Sequence, residues 1–464
     1  MAGKLKALFG AQDMTVGSPW KNLVMFSTPL LVGNLAQQLY NTVDSIVVGR
    51  YVGDSALAAV GASGPVLNLL LLLFMGISTG AGIMVSQYFG AKQRDELSRT
   101  IGTCIMLTLL SGIIIMVVGP LISGPLMALL GTPDEIYGMS VSYLTIIFLG
   151  ILGCGYYNIL SGVLRGMGDS LTPLLFLLIA CFLNIVLDIL FVAQFGMGVA
   201  GVAWATIIAQ AISALLCFLR LFQMKSQIDL NRKTLRLDRA MTSRTIKLGL
   251  PSGLTQAIFS MAAIVVQALT NTFGTSVIAS SIVVMRVDGF AMMPNFTFGM
   301  AMTTFVGQNV GAGLMHRVDE GTRDGLKMAI GVSCVLTACI LLFGRNLMQL
   351  FTGTEEVVNL GMHMMRILAV GYIAMAVTQS LSGVMRGAGD TMTPMWISII
   401  TTVIIRVPIA YLWANLTKTP ELPNGSPDSL FASLLISWVL GALITFVCYR
   451  NGKWRSKGFV RAEA

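Results

Sequence analysis

Charge is what this sequence has least of. Only 11% of its 464 residues are Asp, Glu, Lys or Arg, against roughly 25% in an ordinary soluble domain. The mean hydropathy is +0.79, so lipid rather than water is the main solvent. Histidine is almost missing, with only His316 and His363, which leaves little to build a metal centre from. The seven cysteines (Cys104, Cys154, Cys181, Cys217, Cys334, Cys339 and Cys448) lie in apolar runs without a C-x-x-C pair. They read as small core hydrophobes rather than metal ligands. No H-E-x-x-H stretch and no paired Ser/His set occurs, so an enzyme is not expected, nor is a cofactor or a bound metal. The opening residues carry no basic-start, short-apolar, A-x-A pattern of a secretory leader. Lys4, Lys6 and Pro19-Trp20-Lys21 instead lead straight into a long span.

What the chain has is apolar runs of bilayer length. Twelve are found, at 21–47, 55–86, 101–121, 137–163, 173–195, 199–222, 244–270, 277–307, 326–344, 361–384, 394–416 and 429–449. The second and eighth are long enough to tilt or to project beyond the hydrocarbon. The net charge of +9 would suit nucleic acid, but its placement argues otherwise. Alternate loops and the two ends hold twenty-four Lys and Arg, while the opposite loops hold only Arg50, Arg345 and Lys418. This positive-inside bias predicts a multi-pass membrane protein with both termini cytoplasmic and an even number of spans. Lipid is its surroundings, nucleic acid is no partner, and no oligomer interface is visible, so a monomer is expected.

The chain repeats itself. Ser161–Pro173 reads SGVLRGMGDSLTP and Ser382–Pro394 reads SGVMRGAGDTMTP, nine of thirteen positions identical at an offset of 221. Gln87–Ala91 and Gln308–Ala312 keep that offset, and Pro29 and Pro251 match it within one residue. Two copies of six spans must share one orientation. The fold class is therefore all-α and polytopic, twelve transmembrane helices in two parallel six-helix repeats. The expected division is an N-lobe over 1–223, a basic linker over 224–243 and a C-lobe over 244–464. Each RGxGD loop reads as a tight turn. Its arginine (Arg165, Arg386) would favour the helix C-terminal dipole, its glycines would allow positive φ, and Thr-Pro would start the next helix.

Polar groups inside the spans are expensive and mark function. Asp44, Asp188 and Asp288 are the acids there; Arg286, Arg366 and Arg406 are the bases. At the repeat offset Asp188 falls on Ile409 and Asp44 on Val265 or Val266, so the scaffold does not require either acid. In the first span Asn34, Gln37, Gln38, Asn41 and Asp44 recur at helical spacing and form one polar stripe. In the fifth, Asn184 and Asp188 share a face, with Thr206 a turn or so into the sixth. Two carboxylates, an amide and a hydroxyl are hard ligands for H⁺ or a transient Na⁺. Desolvation favours the protonated form of a carboxylate. Arg286, Asp288, Arg366 and Arg406 suggest a charge network in the second lobe, with Asp288 paired to Arg406 or Arg366 rather than to Arg286. Met292, Met293 and Met300, near several phenylalanines, offer an adaptable apolar surface for a substrate cleft, or ordinary helix packing.

These residues together resemble the multidrug and toxin extrusion (MATE) transporters over nearly the whole chain. The likeness rests on Pro29 with Gln38-x5-Asp44, on Gly53-x-Ser55-x-Leu57-Ala58-Ala59-Val60-Gly61, and on Gln87-x2-Gly90-Ala91. Gln308-Asn309-x-Gly311-Ala312 and the two RGxGD…TP loops complete it. The spacing looks most like the prokaryotic DNA-damage-inducible-protein-F-like branch, in which the cation site would map onto Asp44, Asn184, Asp188 and Thr206. The norfloxacin-exporter branch carries second-lobe acids on its seventh and eighth spans, whereas this chain has Asp288 alone there, beside Arg286. The resemblance implies an alternating-access antiporter that exports amphiphilic, often cationic small molecules against H⁺ or Na⁺. A flippase of a lipid-linked or polyanionic substrate from the same superfamily is the alternative, and the second-lobe arginines favour it. An intramembrane aspartyl protease is disfavoured, because Gly166-x-Gly168-Asp169 lies in a basic loop.

Overall fold

A computed structural model describes residues 11–420 and 422–460 of the chain. Within them helices dominate and no β-strand occurs, as hydrocarbon requires: only a helix satisfies its own N–H and C=O groups without water. The helices fall on the expected runs. Spans one to six are Pro19–Tyr51, Asp54–Gly90, Arg94–Leu129, the pair Asp134–Leu149 and Ile151–Gly166, Leu171–Asp188 continuing through Ile189–Gln194, and Gly198–Gln223. Spans seven to ten are Arg239–Thr270, Thr275–Gly311, Met315–Gln349 and Glu355–Gly387. The eleventh runs from Met392–Ser398 through Ile399–Arg406 into Val407–Leu416, and the twelfth is Asp428–Arg450.

Among the described residues ten spans are each long and apolar enough to cross a bilayer, and the two pieces of the fourth, bent by 53°, make an eleventh. The first helix, of 33 residues, stands at its expected place. The second and eighth have 37 residues each, roughly 55 Å at 1.5 Å per residue, against a hydrocarbon core of about 30 Å. Large apolar side chains face outward, among them Leu129 at 83%, Leu342 at 74% and Leu416 at 82% exposure. Such a surface is stable against lipid and would aggregate in water. The protein is a multi-pass membrane protein.

The chain divides into two compact units, each carrying one copy of the repeat. One holds Thr28–Gly253; the other holds Met14–Ser27 and the chain from Leu254 onward. The divisions fall inside the first and seventh helices, beside Pro29 and Pro251, where each helix lacks a backbone donor. The first unit packs around Phe74, Cys104, Ile151 and Ile159. The second packs around Met365, Tyr372, Phe431 and Trp438. Segment 225–238 lies on the first unit: Arg94 donates to Lys225 O (2.6 Å) and Asp229 (2.8 Å), Thr103 donates to Arg236 O (3.2 Å), and Arg99 pairs with Asp238.

The RGxGD loops turn as expected at Gly168 (φ 87°) and Gly389 (φ 98°), a conformation open to glycine at no steric cost. The helix cap differs from expectation. Asp169, not the threonine, caps the following helix, accepting from Thr172 N (3.0 Å) and Thr172 Oγ1 (2.7 Å). Asp390 does the same with Thr393 N (3.2 Å) and Oγ1 (2.7 Å). A carboxylate binds the first-turn N–H groups more strongly than a hydroxyl does. Only Asp169 also takes an arginine, Arg220 at 3.3 Å.

Two outcomes follow from these loops and the surface segment. Asp169→Ala is expected to destabilise the purified protein by about 2 kcal/mol, a cap plus a charged hydrogen bond, and Asp390→Ala by about 1 kcal/mol. Equal losses on thermal unfolding would show that Arg220 adds nothing. The backbone N–H of Met241, then the Arg99 guanidinium, hold the Asp238 carboxyl below its usual range. Its hold on the 225–238 segment is thus complete above about pH 4 and lost as pH falls further. Peptic cleavage of the segment should accelerate below that pH in the wild type and stay level in Asp238→Asn.

Candidate functional site

The fifth span builds the site. Its α-helical part, Leu171–Asp188, ends at Asp188, and the next six residues, Ile189–Gln194, wind as a π-helix. Phe195 N accordingly bonds to Leu190 O (3.1 Å), five residues back. Such widened turns recur at functional sites because they re-aim the backbone locally. Asn184 and Asp188, one turn apart on this helix, are both 0% exposed.

The neighbours of Asn184 decide the orientation of its amide. Nδ2 donates to Asp188 Oδ2 (2.9 Å) and to Tyr40 OH (3.2 Å), while Oδ1 accepts from the backbone N–H of Thr206 (3.1 Å). The Thr206 hydroxyl donates to Val202 O (3.0 Å) one turn back on its own helix. Three spans therefore meet at one buried amide: the first through Tyr40, the fifth through Asn184 and Asp188, the sixth through Thr206. The arrangement presents an N–H, not a carbonyl, to the carboxylate. It can hold a carboxylate by a charge-assisted bond, and it can equally release one oxygen to carry a proton.

The structure brings together Asn184, Asp188 and Thr206 from the expected set. Asp44 and Asn41 lie on the first span, and their side chains fall outside the described residues. Asn34 and Gln37 are half-buried on that helix, and Gln38 is exposed. Tyr40 escaped the sequence reading. Yet it sits three residues after Gln37 and four before Asp44, on the polar stripe itself, and its aromatic bulk hid its hydroxyl among the apolar positions.

The second-lobe candidates separate. Asp288 faces Tyr372 and feels the charge of Arg406, whereas Arg286 and Arg366 are exposed. Met292 is buried in the core of its unit, Met293 is half-buried and Met300 is exposed. Beside Met292 stands Asn295, fixed by Tyr372 O (3.2 Å) and by the Ser333 hydroxyl (2.8 Å). The three methionines thus do not share one environment.

The MatE family model matches residues 29–190 and again 251–412, once on each copy of the repeat. The chain belongs to this family. Members are transporters, not enzymes. This MatE protein is 29% identical over 434 residues to "Probable multidrug resistance protein YoeA" of Bacillus subtilis, covering 92% of this chain and 94% of that one. It is 29% identical over 447 residues to "Probable multidrug resistance protein YpnP" of the same organism, covering 96% and 98%. In fold it is similar to a MATE crystal structure "in the bent conformation", with a TM-score of 0.88 at 24% identity over 95% of this chain and 96% of the other.

The amide network makes a measurable claim. A double-mutant cycle of Tyr40→Phe and Asn184→Ala should give a coupling energy of about 1 kcal/mol in unfolding experiments. A coupling near zero would separate Tyr40 from the site.

Proposed function

We propose that this protein exports amphiphilic, often cationic small molecules by alternating access, driven by protons that enter through Asp188. Small-molecule export is drawn from the relatives, which are named as probable multidrug resistance proteins, and the amphiphilic, cationic class from the family resemblance. The coupling ion is drawn from the site. A Na⁺ ion on Asp188 would want the Asn184 carbonyl beside it, yet that oxygen is turned to the Thr206 N–H, and the amide offers its N–H to Asp188 instead. Such a site suits H⁺, which binds to the carboxylate itself. Asp44, four residues beyond Tyr40, is proposed as the second acid of the same relay. Exchange follows when protonated and deprotonated Asp188 favour different conformations, because a ligand shifts an equilibrium only by its differential affinity for the two states. The charge bias of the loops supports an inner-membrane protein with both ends in the cytoplasm.

The observation that carries this reading is the fully buried Asn184–Asp188 pair at the meeting of three spans. Purified protein in liposomes should move a fluorescent cation uphill under an imposed pH gradient without Na⁺. Asp188→Asn should cut that movement at least tenfold while still melting cooperatively. Full transport by the variant would remove Asp188 from the mechanism. Movement driven by a Na⁺ gradient alone would overturn the proton assignment, and lipid scrambling without dye movement would favour the flippase.

A further inference from the structure

Arg386 closes the tenth span at Glu355–Gly387. Its guanidinium is enveloped by protein, yet it keeps open surface because it lines a cavity inside the second unit. No carboxylate acts on it, and it makes no hydrogen bond or ion pair among the described residues. Asp390, four residues on, turns its two oxygens to Thr393 instead. A buried cation without a counter-charge costs several kcal/mol, so the arrangement calls for an anion from outside the chain.

The cavity wall supplies the rest of such a site. Gln379, Ser382 and Thr402 line it and take no hydrogen-bond partner among the described residues, leaving an amide and two hydroxyls to donate inward. Thr401 and Thr402 are both buried and both line the cavity although adjacent in sequence. The backbone explains this: Ile399–Arg406 winds as a π-helix, whose wider turn narrows the angle between successive side chains.

The first unit carries the same arginine in a different setting. At the offset of 221, Thr378, Ser398, Thr401 and Thr402 of the cavity wall become Tyr157, Leu177, Ala180 and Cys181. Tyr157 donates to Pro173 O (3.3 Å) and stands beside Arg165. One copy of the repeat thus gives its buried arginine a phenol and apolar neighbours, and the other gives it an open space ringed by hydroxyls.

The size of the space limits the ligand. Its volume of about 30 Å³ is roughly twice the 10–15 Å³ that one water needs. It lies far below the roughly 300 Å³ of a drug-sized pocket. We propose that Arg386, Gln379, Ser382 and Thr402 bind one halide-sized inorganic anion, chloride in the cell, inside the second unit. This site is separate from the proton site and does not rest on the transport reading.

Crystals of the full chain prepared with bromide in place of chloride test it directly. One anomalous peak within hydrogen-bonding reach of the Arg386 guanidinium is expected; water density there without anomalous signal would overturn the proposal. In solution, the melting temperature of purified protein should rise saturably as chloride replaces gluconate at constant ionic strength. Thr402→Val and Gln379→Leu leave the arginine in place and should raise the half-saturating chloride concentration at least tenfold. Variants that titrate like the wild type would place the ion elsewhere and refute the assignment.

Discussion

Hydrocarbon offers a buried polar group no partner, and most of this molecule answers to that constraint. It makes the backbone helical, because each helix satisfies its own N–H and C=O groups. It also favours company inside the protein for the carboxylates, amides and guanidiniums within a span. Asn184 shows the result most compactly: a single amide ties Asp188, Tyr40 and Thr206 together and uses both of its ends to do so. At the loops Asp169 and Asp390 bind first-turn N–H groups that would otherwise lack a partner where the chain turns back. Where company is missing, as at Arg386, the fold leaves a space instead.

The long-range architecture was legible before any coordinates, for a physical reason. Span length, alternation of basic loops and the repeat all act over twenty residues or more, so local errors average out. The pairing of Asn184 with Asp188 was legible too, since a four-residue spacing on a helix determines it. Three details were not. The π-turns at Ile189–Gln194 and Ile399–Arg406 depend on tertiary packing and leave no periodic trace. Tyr40 was masked by its own ring. The methionines of the eighth span looked alike in sequence, and only burial separated Met292 in the core from Met300 on the surface.

The two copies of the repeat show what duplication keeps and what it releases. Turn geometry is kept: Gly168 and Gly389, Asp169 and Asp390 play the same parts. Side chains facing the interior of each unit have diverged in kind. Asp188 has Ile409 as its counterpart, and Tyr157 has Thr378. One copy spends its interior polarity within the fifth span, the other around the buried arginine at the end of the tenth.

The division of the first and seventh helices beside their prolines bears on how such a gene is divided. The repeat recognised by its family begins at residues 29 and 251, and the compact units change over at Thr28 and Leu254. The inherited module therefore starts in mid-helix. A polypeptide cut within 224–243 would not yield two complete halves: the leading fragment would lack the stretch from the cut to Gly253, and the trailing one would lack Met14–Ser27. Each fragment would therefore lack a stretch that packs within its own unit, and a cleaner division would fall beside the two prolines.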